Sequence, residues 1–307
     1  MFDQYVGQAR LLLQILPLIK EYTCFGLKGG TAINFFIQDF PRLSVDIDLC
    51  YHLINSRDEA LSQITASMED LEIKIHRRFK GSHIQIKKTE SGIIRGMVVH
   101  HNGVTIKVEP NLVIRGTVNP LVTRSLTPKA SEFFQLELDY PVLSKADLYG
   151  GKICAALDRQ HPRDLFDVFL LLEKNEFDRS IFNAFLVYLI SHPRPIAELL
   201  NPNKKDIQDV FEKEFRTMTD SDVSVDELIQ TRENLVKSIH SQFTAEDKAF
   251  LLSLKDNNPL WELFPIKHAS SLPAVIWKNM NIAKMKPDAR EKARLKLEKT
   301  LNGDFLK

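Results

Sequence analysis

Cysteine is scarce in this sequence, and nothing pairs it. Cys24, Cys50 and Cys154 are odd in number and far apart, with no CxxC among them. That spacing excludes a disulfide framework and a cysteine zinc site, and it reads as buried apolar thiols in a reducing compartment. Net charge is lacking too: 41 Lys and Arg against 40 Asp and Glu leave +1. Recruitment of a polyanion by gross basicity is therefore excluded, and any nucleic-acid site has to be a local patch. No apolar run approaches the roughly 20 residues of a membrane span. The stretch 11–19 is broken by Gln14 and Pro17, and Asp3 stands where a secretory signal carries positive charge. There are no internal repeats and no low-complexity tract. The expectation is a cytoplasmic globular protein, and 307 residues point to two domains rather than one.

What is present changes character part-way along the chain. Residues 2–16 read as helix, and 32–40 as a short apolar helix after a glycine turn. Residues 45–51 alternate around two aspartates, as a strand does. Over 56–75, Leu61, Ile64, Met68, Leu71 and Ile75 step by three and four, which makes one stripe of an amphipathic helix. Ser56 and Glu59 form a capping box at its start. Residues 83–88, 94–100 and 104–109 alternate, and Asn102-Gly103 between the last two is a hairpin signal. After Pro141 the strand signal stops. Ser144 with Asp147 opens a helix to about Arg159, and Pro162 suits the first turn of a helix over 163–174. Ser224 with Glu227 and Thr244 with Asp247 start further helices, and 287–302 form a charged one. The pattern predicts an α/β domain over residues 1–175 and an all-helical domain over 176–307.

Three pieces carry chemistry. In Lys28-Gly29-Gly30-Thr31 a glycine pair lets the backbone turn and lets its amides approach a ligand, and the helix that follows would aim its positive end at the same spot. Alone, the pair reads first as a plain strand-to-helix turn. In Arg42-Leu-Ser44-Val-Asp46-Ile-Asp48 the two aspartates lie two apart in a strand and so share a face. Like charges side by side at the edge of a core repel, and a divalent cation supplies a reason to keep them. Oxygen ligands without histidine suit Mg2+ or Mn2+. Glu109 ends an apolar strand before Pro110. If that strand lies beside the Asp46–Asp48 strand, three carboxylates meet, as a two-metal phosphoryl-transfer site needs. Glu137 and Asp139 compete for the third place.

The order of glycine pair, helix, Asp-x-Asp strand and later acid resembles the nucleotidyltransferase superfamily of DNA polymerase β and the tRNA CCA-adding enzymes. A longer string is similar to one branch, the AbiEii/AbiGii toxin nucleotidyltransferases. It comprises Gly29-Gly30-Thr31, Arg42-x-Ser44-x-Asp46-x-Asp48-Leu49, and Asp147-Leu-Tyr-Gly-Gly-Lys152-x-x-Ala-Ala-x-x-Arg159-x-x-x-Arg163-Asp164-Leu-Phe-Asp167. The resemblance spans about residues 20–175. It implies a polymerase β-like domain with a mixed sheet, followed by a helical domain. It also implies Mg2+ or Mn2+ on Asp46, Asp48 and Glu109, and an NTP substrate. Phosphate contacts are expected from Gly29, Gly30, Thr31, Arg42, Ser44 and Lys152, and from Arg163 as a planar fork. Lys152 and Asp167 are nucleotide-facing in that family. Further implications are an RNA acceptor such as a tRNA 3′ end and a cognate antitoxin. Without the resemblance, Lys152, Asp164 and Asp167 read as ion pairing within a helical hairpin. A small-molecule nucleotidyltransferase and a non-catalytic nucleotide-binding module are the competing functions.

Other features weigh less. His100 and His101 alternate faces, so at most one shares Glu109's face, and His161 looks like a helix start. Gly150-Gly151-Lys152 lacks the GxxxxGK[ST] of a P-loop. The last helix, rich in Lys284, Lys286, Arg290, Lys292, Arg294, Lys296 and Lys299, is the better RNA patch, against a solvated face.

Overall fold

The computed structural model of the chain describes residues 2–303, with side chains from Tyr5 onward. Two compact units divide it: Met1–Leu148 with Glu214–Asp222, and Tyr149–Lys213 with Val223–Lys307. The division runs through a helix, whereas the sequence reading put it near residue 175.

The first unit holds α1 (Phe2–Ile19), β1 (Phe25–Lys28), α2 (Gly29–Phe36), β2 (Asp46–Tyr51) and α3 (Arg57–Arg78). Then come β3 (His83–Lys88), β4 (Ile94–His101), β5 (Val104–Asn111), β6 (Val122–Ser125), α4 (Pro128–Phe134) and β7 (Asp139–Val142). All seven strands form one mixed sheet in the order β3-β4-β5-β2-β1-β7-β6. β2 runs parallel to β5 and β1 to β7, and the other pairs are antiparallel. Parallel neighbours need a long crossover, and α3 with the β3–β4 hairpin supplies it between β2 and β5.

Local chemistry sets these elements. Ser56 Oγ accepts from the Glu59 amide (3.3 Å) and the Glu59 carboxylate accepts from the Ser56 amide (3.1 Å), so α3 begins with two satisfied donors. Its stripe of Leu61, Ile64, Met68, Leu71 and Ile75 is buried, each such side chain contributing roughly 1.5–3 kcal/mol. Asn102 (φ 48°) and Gly103 (φ 79°) both take the left-handed conformations that a tight β4–β5 hairpin needs. Leu27, Ile47, Leu49, Val99, Ile106 and Val108 bury one face of the central strands.

Two elements differ from expectation. The helix expected over 32–40 begins at Gly29 and stops at Phe36. The amides of Ile37 and Gln38 both turn back to the Ile33 carbonyl, and Phe40 is left-handed (φ 55°). Pro110 was expected to end its strand, yet β5 continues to Asn111 along β2. The β4 ladder stops at Val108, so a proline nitrogen at 110 forfeits no rung on that side.

The dividing helix is α5 (Lys145–Asp158). Beyond it lie α6 (Pro162–Glu173), α7 (Arg179–Ser191), α8 (Ile196–Leu200), α9 (Gln208–Glu214), α10 (Val225–Gln242), α11 (Ala245–Lys255), α12 (Pro273–Ala283) and α13 (Pro287–Leu301). Reciprocal capping boxes open α10 (Ser224, Glu227) and α11 (Thr244, Asp247), and His161 caps α6. A Cβ on Gly150 would stand 2.8 Å from the Phe185 amide nitrogen, so this glycine lets α5 pack against the α7 backbone. Phe182, Phe185, Phe250 and Phe264 fill the core of this unit. No described helix is long and apolar enough to cross a membrane.

Candidate active site

One face of the sheet collects the acids. Along β2, Ile47 and Leu49 point into the core, which turns Asp46 and Asp48, both half-buried, to the opposite face. The parallel pairing aligns Asp48 with Glu109 and Asp46 with Lys107. Residues in register on adjacent strands share a face, so the three carboxylates occupy one face, with Glu109 the exposed member. Asp139 competes poorly: it opens β7, two strands from β2, and accepts from Ser125 Oγ at 2.6 Å. Glu137 lies outside any strand.

The glycine turn closes onto this face. Gly29 is left-handed (φ +72°), and a Cβ there would collide with the Asp48 carboxylate. A Cβ on Gly30 would lie 2.8 Å from Arg42 Nη2 and 3.2 Å from Ser44 Oγ. Thr31 Oγ1 donates to the Asp46 carbonyl (2.6 Å) and sits 2.9 Å from Ser44 Oγ, fastening the first turn of α2 to β2. Arg42 is buried and donates from Nη1 to the Leu43 carbonyl at 2.9 Å. Its loop is held by the returning segment: the Leu43 amide donates to the Met218 carbonyl (2.7 Å), and Thr219 Oγ1 to the Pro41 carbonyl (2.8 Å). Gly29, Gly30, Thr31, Arg42, Ser44, Asp46, Asp48 and Glu109 thus share one neighbourhood.

The donor set suits a hard divalent cation, being all carboxylate oxygen on one face. Among the described residues, however, no three His, Cys, Asp or Glu side chains are gathered closely enough to cage an ion. Gathering Asp46, Asp48 and Glu109 on one ion would need side-chain rotation, which the exposed Glu109 allows. Cys50, two residues beyond Asp48, is no nucleophile: burial pushes its thiol up to about 12. All three cysteines are buried and free. His100 shares the sheet face but is engaged with Thr105 Oγ1 (2.8 Å) and stacked on His83, at the far end of β5 from Glu109.

Two cations on this face were not singled out in the sequence. Lys28 is the register partner of Asp48 on β1, and Lys107 that of Asp46 on β5. The signal was present: Lys107 alternates with Glu109, and Lys28 precedes the glycine pair.

The profile of the AbiEii nucleotidyl transferase toxins of type IV toxin–antitoxin systems matches residues 10–264. The chain belongs to this family. Among solved structures, MenT4, a nucleotidyltransferase toxin from Mycobacterium tuberculosis H37Rv, has the same fold. The TM-score is 0.58 at 14% identity, over 96% of this chain and 97% of that one. No curated protein matches in sequence. As an AbiEii protein, the chain is a nucleotidyltransferase toxin that uses an NTP, and its type of system implies an antitoxin partner.

From Tyr149 onward the last motif of this AbiEii chain lies in the second unit. Lys152 is buried, and its Nζ is 2.8 Å from Asp164 Oδ1 and 3.0 Å from Asp167 Oδ2. Arg159 Nη2 donates to Asp164 Oδ1 at 2.9 Å, and its Nε to Oδ2. Burial alone would push the Asp164 carboxyl up, but the Lys152 ammonium and the Arg159 guanidinium outweigh it and hold the carboxyl far below its ordinary range. This is ion pairing within a helical hairpin, and it is buried rather than superficial. Arg163, half-buried in the first turn of α6, donates its backbone amide to His161 Nδ1 at 3.1 Å.

Proposed function

We propose that the chain transfers a nucleoside monophosphate from an NTP to a hydroxyl of RNA, a tRNA 3′ end being the expected acceptor. It would depend on Mg2+ or Mn2+, release pyrophosphate and act in the cytoplasm. The observation that carries this reading is the register of β2 on β5, which brings Asp48 and Glu109 side by side with Asp46 on one face. Asp46, Asp48 and Glu109 would hold the metal, whose chemistry is to lower the pKa of the acceptor hydroxyl and to neutralise the triphosphate. The amides of Gly29, Gly30 and Thr31, with Ser44 and Arg42, would bind phosphate oxygens. Being fastened by Thr31 and by the 218–219 segment, they need little reorganisation in the transition state. The family resemblance adds Lys152 and Asp167 as nucleotide-facing groups, and the Arg163 guanidinium would offer a planar fork to phosphate.

Radiolabelled NTPs offered separately to total RNA, to an aminoglycoside panel and to the protein alone test the reading. Mg2+-dependent label on RNA is the expected result. Label only on the small molecules would make this an antibiotic-type transferase, and NTP binding without transfer to anything would make it a non-catalytic module.

A further inference from the structure

Three acids in adjacent register positions on one sheet face repel one another. The same face carries its own relief. Lys28 opposes Asp48 across the antiparallel β1–β2 pair, and Lys107 opposes Asp46 across β2–β5. Opposed residues have Cβ atoms about 5 Å apart, well within reach of a lysine's four-carbon stem. Both ammonium groups can therefore approach the acids across the strands. We propose that Lys28 and Lys107 are built-in counter-charges of the carboxylate face, competing with metal for Asp48 and Asp46, and that Lys28 also binds the incoming triphosphate. The proposal rests on the nucleotidyltransferase site described above.

The two lysines differ in what else they can reach. Lys28 is the last residue of β1, with extended backbone, and is joined directly to Gly29 and the first amides of α2, which have no partner within the helix. Its ammonium therefore starts beside the site where phosphate oxygens would bind. Lys107 is on the far side of β2 from that turn. Removing either should strengthen metal binding, because a competing positive charge is gone. Removing Lys28 alone should weaken nucleotide binding. A lysine that merely supports the fold would produce neither the gain nor the split.

The test titrates Mn2+ alone, followed by electron paramagnetic resonance, into the full chain and its variants, and then each of the four NTPs with saturating Mn2+. Lys28→Met and Lys107→Met should each bind Mn2+ roughly three- to tenfold tighter, and Lys28→Arg should match the wild type. In an Asp48→Asn background, Lys28→Met should change nothing. For NTP, Lys28→Met should bind about tenfold more weakly and Lys107→Met no more weakly than wild type. Unchanged or weaker Mn2+ binding by Lys28→Met, or unchanged NTP binding, overturns the proposal while the transferase site stands. A wild type that binds neither Mn2+ nor NTP takes the site reading down as well. Should Lys28→Met fail to fold, Lys28→Gln carries the same comparisons.

Discussion

Asp48 and Glu109 are register partners on parallel strands, one half-buried and one exposed, with Asp46 two residues away on the same face. Such a cluster of like charges repels itself even with Lys28 and Lys107 across the strands, and a bound divalent cation relieves it further. Asp46→Asn with Asp48→Asn should therefore leave the metal-free protein as stable as wild type, or more so. Wild type should melt at a higher temperature when NTP and Mg2+ are added, since ligand binds only the folded state, and the double variant should lose that gain together with all transfer. A variant that is less stable without metal, yet still shifts and still transfers nucleotide, would show that the aspartates are structural.

The two glycines should fail for different reasons. Gly29→Ala forces an L side chain into left-handed backbone, about 1–2 kcal/mol, and drives its Cβ into the Asp48 carboxylate. Its melting temperature should fall by several degrees and NTP binding should vanish. Gly30→Ala meets the end of the flexible Arg42 side chain, which can move aside. It should melt like wild type and still bind NTP more weakly, because Arg42 and Ser44 are displaced. Equal melting temperatures for Gly29→Ala and wild type would contradict this account of the turn.

How much of this was legible in the sequence depends on where the information lay. The acids on β2 and β5 could be found because alternation and apolar flanks mark each strand, and their adjacency followed once those strands were paired. β1, β6 and β7 are four residues each, too short to show a period. α2 was shifted because its start lies on the glycines themselves and no side chain caps it. Lys28 and Lys107 escaped because their meaning comes from cross-strand register, which a single sequence does not display. The Lys152 motif was visible as a string, but its burial among two carboxylates depends on how α5 and α6 pack.

Ser44 is buried beside Thr31 and Gly30, two residues from Asp46. Ser44→Ala removes one hydroxyl and should lower transfer only mildly. Ser44→Glu adds a negative charge beside the carboxylates and crowds Gly30, so Mn2+ binding and activity should be lost. Full activity in Ser44→Glu would remove this hydroxyl from the site.

The Lys152 hairpin predicts a pH dependence. The Asp164 carboxyl is depressed in the folded state, so its contribution is complete above the unfolded value of roughly 3.9. It is lost as pH falls below that toward the lower folded value. Stability in urea should therefore decline below about pH 4, and the decline should be shallower in Asp164→Asn. Lys152→Met removes the ammonium that two buried carboxylates share, leaving Asp164 to Arg159, which should cost about 3 kcal/mol at neutral pH. If Lys152→Met instead keeps wild-type stability and loses NTP binding, the lysine serves the nucleotide and the ion pairs are incidental.

The test of an RNA acceptor on the helical unit does not fall on the residues that charge counting alone would choose. Arg294 is held by Asp256 (3.0 Å) and Glu298 (3.0 Å), so changing it tests stability as much as RNA binding. Lys292, Lys296 and Lys299 are exposed and fall on one side of α13 by helical spacing, and among the described residues only Lys296 of the three meets an acid, Glu198 at 3.3 Å. Changing these three together to Glu should weaken tRNA binding. The slope of log affinity against log salt should fall by about 2–3, roughly 0.7–0.9 for each phosphate contact removed. NTP binding should be unaffected. Arg294→Glu should lower the melting temperature without this change in slope. Unaltered tRNA affinity and slope in the triple variant would exclude α13 from the acceptor surface and leave its lysines as a solvated face.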